Sequence, residues 1–279
     1  MNKQKGYIVA LICSVICLWA GQAAADEPLA KITLSGELQQ GGVIFGRSDR
    51  DGRVFIDGRE VVLDQQHRFV FGLDRDAAEG VTVVFRHANG VEQAETYPVA
   101  KREYRMQRIE GIKRSIMQPS EEKLQRIREE AAQVKRAREA DLDQTAWHQR
   151  FIWPIKGRIT GVFGSQRVYN GVPARPHYGI DIAAPVGAKV IAPAAGVVTL
   201  AHKNMFYSGG TVIIDHGRGL SSAFLHLSKL HVKVGQQLQQ GDLLGEVGST
   251  GRSTGPHLDW RMNWFDRRVD AQLMVPAMR

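Results

Sequence analysis

The second half of this 279-residue chain restricts its fold more than any other feature. From Phe151 onward, apolar runs are short, and Gly and Pro interrupt them repeatedly. Strands are expected over 158–162, 189–191, 196–201, 211–215, 221–225, 243–247 and 257–262. Regularly spaced strands with turn residues between them, and almost nothing helical, predict an all-β domain. No internal repeat of fixed period is evident.

The first half has a different texture. Between Lys31 and Ala100, six or seven short strands are expected, among them Ile32-Thr33-Leu34, Val54-Phe55-Ile56, Val61-Val62-Leu63, Phe69-Val70-Phe71 and the run 81–85. Asp57-Gly58 and Asn89-Gly90 mark hairpin turns, because both residue types accept positive φ. This pattern predicts a small β-sandwich over 27–100 with no chemistry of its own, since His67 and His87 have no partner at ligand spacing. From Ser120 to Asp143 the chain has neither Gly nor Pro. Leu124, Ile127, Ala131, Val134 and Arg138 then mark one helical face. Pro119 and Ser120 suit a helix start, with Glu121 and Glu122 at the positive end of the dipole. The segment 101–150 therefore reads as a charged helical connector packed on one face, and 151–279 as the chemically active domain.

The first 25 residues read as a secretory signal. Lys3 and Lys5 precede an apolar run from Tyr7 to Trp19, and Ala23-Ala24-Ala25 supplies a cleavage site. The run is too short to span a bilayer, which needs about 20 residues. No later segment is apolar enough to cross one, so no transmembrane span is expected after cleavage. Cys13 and Cys17 both lie in the signal, so the mature chain has no disulfide and no thiol nucleophile. Its formal net charge falls from +8 to +6 with the loss of Lys3 and Lys5. A basic exported protein is drawn to anionic polymers of the cell envelope, and export argues against nucleic acid.

Five residues in the last domain could carry chemistry. His177 and Asp181 stand four apart in HYGID, where Pro176 and Gly179 exclude a helix. His226 ends a strand in FLHLS. His257 and Asp259 stand two apart in PHLDW, and such residues share one strand face, with Leu258 and Trp260 behind. Three His, Asp or Glu ligands suit a catalytic zinc. Two further imidazoles beside it could serve as base, acid or oxyanion stabiliser. His216 reads as structural or groove-lining, His202 and His231 as surface residues, and Trp153, Trp260 and Trp264 as core. Tyr207-Ser208-Gly209-Gly210 is a candidate groove wall, the glycines letting a peptide approach the backbone.

In their order and spacing, several segments resemble the lysostaphin/LytM-type zinc endopeptidases. They are FIWPIKG from Phe151, GVFGS from Gly161, HYGIDIAAPVGAKVIAPAAGVV from His177, FLHLS from Phe224, and GQQLQQGDLLGEVGSTGRSTGPHLDW from Gly235. The resemblance covers 151–264. It implies a β-sheet groove of the duplicated-hybrid-motif kind, one Zn2+ per chain, and hydrolysis of peptide bonds in peptidoglycan. It puts two metal ligands on His177 and Asp181 and the two catalytic histidines on His226 and His257. The third ligand, normally the second His of an H-x-H pair, falls on Asp259. That departure makes the metal with its three ligands formally neutral and its water less acidic. The resemblance thus implies an exported zinc metalloendopeptidase of the periplasm or cell envelope. Its partners would be peptidoglycan stem peptides and, in addition, other cell-wall enzymes. The alternative is a degenerate member that binds the wall or activates a peptidoglycan amidase.

Overall fold

The computed structural model describes residues 29–110 and 120–278. The expected signal segment, with Cys13 and Cys17, and Pro119 lie outside the described residues. Among those described, no helix is long and apolar enough to cross a membrane.

Seven strands form two small sheets in the first unit. β1 (Ile32–Ser35), β2 (Val43–Ser48) and β5 (Arg68–Gly72) make one. β3 (Arg53–Ile56), β4 (Arg59–Val61), β6 (Gly80–Arg86) and β7 (Glu92–Pro98) make the other, in the order β4-β3-β6-β7. The Asp57-Gly58 signal is realised: φ is 48° and 82° at the two residues, and β3 turns directly into β4. β2 was not expected, because Gly41-Gly42 and Gly46 break its apolar run. At Gly46 a side chain would strike the Phe69 ring of the neighbouring strand.

β8 (Met106–Ile109) precedes α1 (Glu121–Glu139), the one long helix among the described residues, which starts directly after Ser120. The remaining strands are β9 (Arg158–Gly161), β10 (Gln166–Tyr169), β11 (Val172–Pro173), β12 (Gly179–Ala183), β13 (Lys189–Ile191), β14 (Gly196–Met205), β15 (Gly209–Gly217), β16 (Leu220–Leu227), β17 (Lys229–Leu230), β18 (Gln237–Leu238), β19 (Leu243–Glu246), β20 (His257–Trp264) and β21 (Arg267–Val269). The main sheet runs β18-β14-β15-β16-β20-β12-β9, with β21 paired to β20. The all-β reading of this half is therefore correct, and the protein is mainly β.

Alternation along the central strands separates two faces. Leu258, Trp260, Met262 and Trp264 of β20 are fully buried behind the sheet. They join Ile180, Ile182, Phe224 and Val212 in a core that continues into Phe69, Phe71, Val83 and Phe85 of the first unit. A Cβ on Gly72 of β5 would stand 2.7 Å from both Trp264 and Val269, so the two units touch backbone to side chain. Arg267 donates to Gly72 O at 3.1 Å, and Arg75 Nη2 to Gly164 O at 2.8 Å. The Arg102–Asp270 ion pair, at 3.0 Å, also ties them.

The opposite face of the sheet carries Leu200, Ile213, Ala223 and Leu225. With Met205 they pack against Val134 and Ala137 of α1. Ala137, not Arg138, is the buried residue of the helix's last turn, and Ala131 is exposed. Glu130 holds the helix in place by accepting from Phe206 N at 2.7 Å.

The continuous core means that the catalytic half would lose packing without the first unit. A chain beginning at Gln144 would expose both the back of β20 and the α1 footprint. Each large apolar side chain so exposed forfeits about 1.5–3 kcal/mol. Such a chain is expected to aggregate or to melt more than about 10 °C below the full protein. Soluble yield and thermal melting check this, and an unchanged melting temperature would refute the shared core.

Candidate active site

Strand register builds the site. β12 and β20 run antiparallel with Asp181 directly opposite Asp259 and Gly179 opposite Arg261. Side chains paired in this way share a face. His257, Asp259 and Arg261, at alternate positions of β20, therefore project together with Asp181. Glycines leave the space the carboxylates occupy: a Cβ on Gly179 would collide with Asp259 Oδ1, and one on Gly161 with Asp181 Oδ2. His177 comes from the loop before β12. Its backbone is clamped by His177 N to Ser165 O at 2.8 Å and Gly164 N to His177 O at 2.7 Å.

The three expected ligands do come together. One ligand atom from each of His177, Asp181 and Asp259 lies within 4.8 Å of the others. His177 Nε2 stands 3.2 Å from Asp181 Oδ1. Both atoms are buried, and beyond this ion-pair contact neither has a hydrogen-bond partner. Buried polar atoms are rarely left unsatisfied without a ligand to explain them. Burial opposes a charge on His177, but the contact with Asp181 and the nearby Asp259 outweigh it and raise its pKa. The pocket thus favours positive charge at the point where the two orphaned atoms meet, and the donor set of one imidazole and two carboxylates fits a divalent metal.

The two other histidines are oriented by backbone carbonyls. His226 has φ of 64°, a conformation held by its N–H to Ser208 O at 2.8 Å. Its Nδ1 donates to Thr250 O at 2.7 Å. His257 Nδ1 donates to Gly255 O at 2.8 Å, and its Nε2 lies 3.7 Å from Asp181 Oδ1. The two rings stand 4.8 Å apart. In each, the carbonyl fixes the tautomer and leaves Nε2 as the nitrogen for chemistry. Burial holds His226 below its ordinary pKa.

Arg261 is the residue that sequence reasoning missed. Its Nε donates to both oxygens of Asp259 at 3.0 Å, and its Nη2 to Oδ2 at 2.6 Å. Burial alone would raise the Asp259 pKa, but Arg261 outweighs it and the carboxyl stays below its usual range. The charge count made from three ligands is corrected accordingly. With Arg261 the metal site regains one positive charge, the same balance as a set of two histidines and one aspartate. The signal was available: the alternation that pairs His257 with Asp259 continues to Arg261.

Other expectations resolve individually. His216 is structural and lies on the core side. Its Nδ1 donates to Ala195 O at 2.7 Å and its Nε2 accepts from Ser222 Oγ at 2.9 Å. Trp153, Trp260 and Trp264 are core residues. His231 pairs with Glu246 at 2.8 Å. The glycines of Tyr207–Gly210 are closely packed from within the protein. A Cβ on Gly209 would strike Thr250, and one on Gly210 the carbonyl of Leu227, so they are small because neighbouring backbone packs against them.

The pattern of peptidase family M23 matches residues 175–271, which include all five expected site residues and Arg261. A crystal structure assigned to peptidase M23 from Pseudomonas aeruginosa is 30% identical with a TM-score of 0.66, over 86% of this chain and 96% of that one. The chain belongs to peptidase family M23. Among curated M23 relatives, the peptidoglycan DD-endopeptidase ShyA of Vibrio cholerae is 39% identical over 124 residues, 44% of this chain and 29% of that protein. The DD-carboxypeptidase/endopeptidase Mpg of Neisseria meningitidis is 41% identical over 103 residues, 37% of this chain and 22% of that protein. The chain thus spans less than a third of the length of these curated relatives.

Two buried neighbours on β15 have opposed pH dependences. Burial pushes His216 down to about 4, so the folded chain binds fewer protons than the unfolded chain from there up to 6.5. Stability therefore falls as pH drops through that window. Burial pushes Asp215 up to about 7 from 3.8. The folded chain retains that proton, so stability falls as pH rises from about 4 to about 7. Asp215→Asn is expected to raise the melting temperature at pH 8 and to leave it nearly unchanged at pH 4. Equal shifts at both pH values would contradict the assignment.

Proposed function

We propose that this protein is an exported, zinc-dependent endopeptidase that hydrolyses the peptide cross-links of bacterial peptidoglycan in the periplasm or cell envelope. The observation that carries the reading is the meeting of two buried, unpartnered ligand atoms, His177 Nε2 and Asp181 Oδ1. They lie beside Asp259 and two histidines with fixed tautomers. Family membership and the peptidoglycan-cleaving activities named for ShyA and Mpg support the substrate. Residues 1–25 are read as the export signal, 27–100 as a sandwich, 101–150 as the helical connector and 151–279 as the peptidase domain.

His177, Asp181 and Asp259 would hold the zinc. Bound there, the ion supplies Lewis-acid polarisation of the scissile carbonyl and makes water acidic enough to attack near neutral pH. The protein's own residues do the rest. Burial keeps His226 neutral, so its Nε2 can accept a proton. In its imidazolium form, His257, on the other side of the pair, can donate from Nε2 to the developing oxyanion or the leaving amine. Both Nδ1–H groups remain bound to carbonyls throughout, which keeps the rings aimed.

A second reading rests on one specific observation. Arg261 engages both oxygens of Asp259, as it would in a site that has given up metal for a salt bridge. The protein would then bind the wall or activate an amidase.

The two readings diverge in measurable ways. The purified protein is expected to carry about one zinc per chain and to release peptides from purified peptidoglycan. His226→Ala and His257→Ala should each slow turnover by roughly 10²–10⁴-fold while zinc content holds. Asp259→Ala should lose most of the metal, as elemental analysis would register. Asp259→His alone leaves Arg261 without its partner beside a cation, so the double change with Arg261→Gln should bind zinc more tightly than the single one. Zinc binding unaffected by Asp259→Ala would favour the second reading.

A further inference from the structure

The site-bearing face of β20 does not end at Asp259. It continues through Arg261 to Asn263, and Arg268 of β21 lies directly opposite Asn263. Arg268 Nη1 donates to Asn263 Oδ1 at 3.0 Å. Arg175, two residues before His177, stands 5.6 Å from the centre of the Tyr178 ring, and Arg268 stands 5.4 Å from the same ring. Arg138 arrives from above, on the last turn of α1. Its neighbour Ala137 packs with Ala223 and Leu225, which pair across the sheet with Arg261 and Asp259. Four guanidiniums therefore gather along one face beside the metal ligands.

Their partners do not balance. Arg261 is engaged by Asp259. Among the described residues, Arg138, Arg175 and Arg268 have no carboxylate at ion-pair distance; Asp74 accepts from the Arg268 backbone N–H and its charge reaches Arg268 from further off, and Arg138 Nε is buried with no hydrogen-bond partner. Burial, with the charges of the neighbouring arginines, lowers Arg138 well below its ordinary pKa and brings Arg268 to about 10. Arg175 is exposed, but Arg138 and Arg268 are partly desolvated, and an unpaired ion that loses its hydration carries a cost. An anion entering among them would remove that cost. The planar guanidinium fork matches a carboxylate with two parallel hydrogen bonds. Next to a centre read as cleaving peptide bonds, the anion at hand is a carboxylate of the peptide itself.

We propose that Arg138, Arg175 and Arg268 form a subsite beside the metal ligands that binds a free carboxylate of the peptide substrate. This rests on the peptidoglycan reading and refines it: the enzyme would select chains whose carboxyl group next to the scissile bond is neither amidated nor cross-linked. α1 then has a role beyond connection, because it brings one of the three cations to the face of the sheet.

The test compares a cross-linked muropeptide dimer with the same dimer after its free carboxyl groups are converted to carboxamides. Binding to the full chain, dialysed against chelator so that cleavage does not compete, is measured by titration calorimetry. The wild type is expected to bind the free acid at least about 10-fold more tightly than the carboxamide, the effect of losing one charge-assisted bidentate contact. Arg138→Met and Arg268→Met should each erase that preference. Arg138→Met should melt higher than the wild type, because it removes a desolvated cation with no carboxylate partner, whereas Arg268→Met should melt slightly lower, because Asn263 Oδ1 loses its donor. Arg268→Lys should keep part of the preference through charge alone.

Equal binding of the two forms by the wild type overturns the subsite and leaves the peptidoglycan substrate standing. Retained preference in both Met variants also overturns it, as does stabilisation by inorganic phosphate with no difference between acid and amide. Binding of neither dimer counts against the substrate reading as well as the subsite. Release of peptides from carboxamide-treated peptidoglycan at the untreated rate would refute the subsite alone.

Discussion

Asp181 and Asp259 face each other across the β12–β20 register, and much of the site follows from how that opposition is relieved. Like charges directly opposite on a sheet are destabilising. Asp259 is almost wholly buried, so solvent cannot screen it. Two positive charges answer the pair. Arg261, one alternation further along β20, binds Asp259 from the side. The unpartnered Asp181 Oδ1 and His177 Nε2 leave the second place for a cation. Gly161 and Gly179 are small because the carboxylates occupy the space where their side chains would be.

The rest of the fold holds this register. β20 is central to the sheet, with β16 on one side and β12 and β21 on the other. Its rear residues, from Leu258 to Trp264, are fully buried against the first unit. A one-residue slip would turn Asp259 into the core and Trp260 into the groove, so the apolar rear face fixes which residues reach the site. The first unit contributes by backing β20 as well as by linking to it, through Gly72 against Trp264 and Arg102 against Asp270.

Much of the site was legible because it follows short-range rules. The alternation in His257-Leu258-Asp259-Trp260 gives the two faces of β20 without any structure. Gly179 and Pro176 exclude a helix at HYGID, which is a strand entry in the fold. What stayed hidden depends on pairing between distant segments. Nothing near Asp181 says that it lies opposite Asp259, so the need for Arg261 could not be weighed. The glycines of 209–210 looked like groove wall because their neighbours, Thr250 and Leu227, are set by long-range packing. The helix face was legible from its periodicity, but not its target. That target is the site-bearing side of the sheet, and so Arg138 reads only as one position of the packed helical face until the sheet is in place.

The central claim is that one divalent metal sits between His177, Asp181 and Asp259 while Arg261 stays on Asp259. Anomalous diffraction at the zinc absorption edge, from crystals grown with zinc, tests it most directly. The account predicts a single peak at about 2.0–2.2 Å from His177 Nε2, Asp181 Oδ1 and one oxygen of Asp259, with Arg261 still donating to the other. No peak, or a peak bound by His226 and His257 with Asp259 held by Arg261 alone, would contradict it.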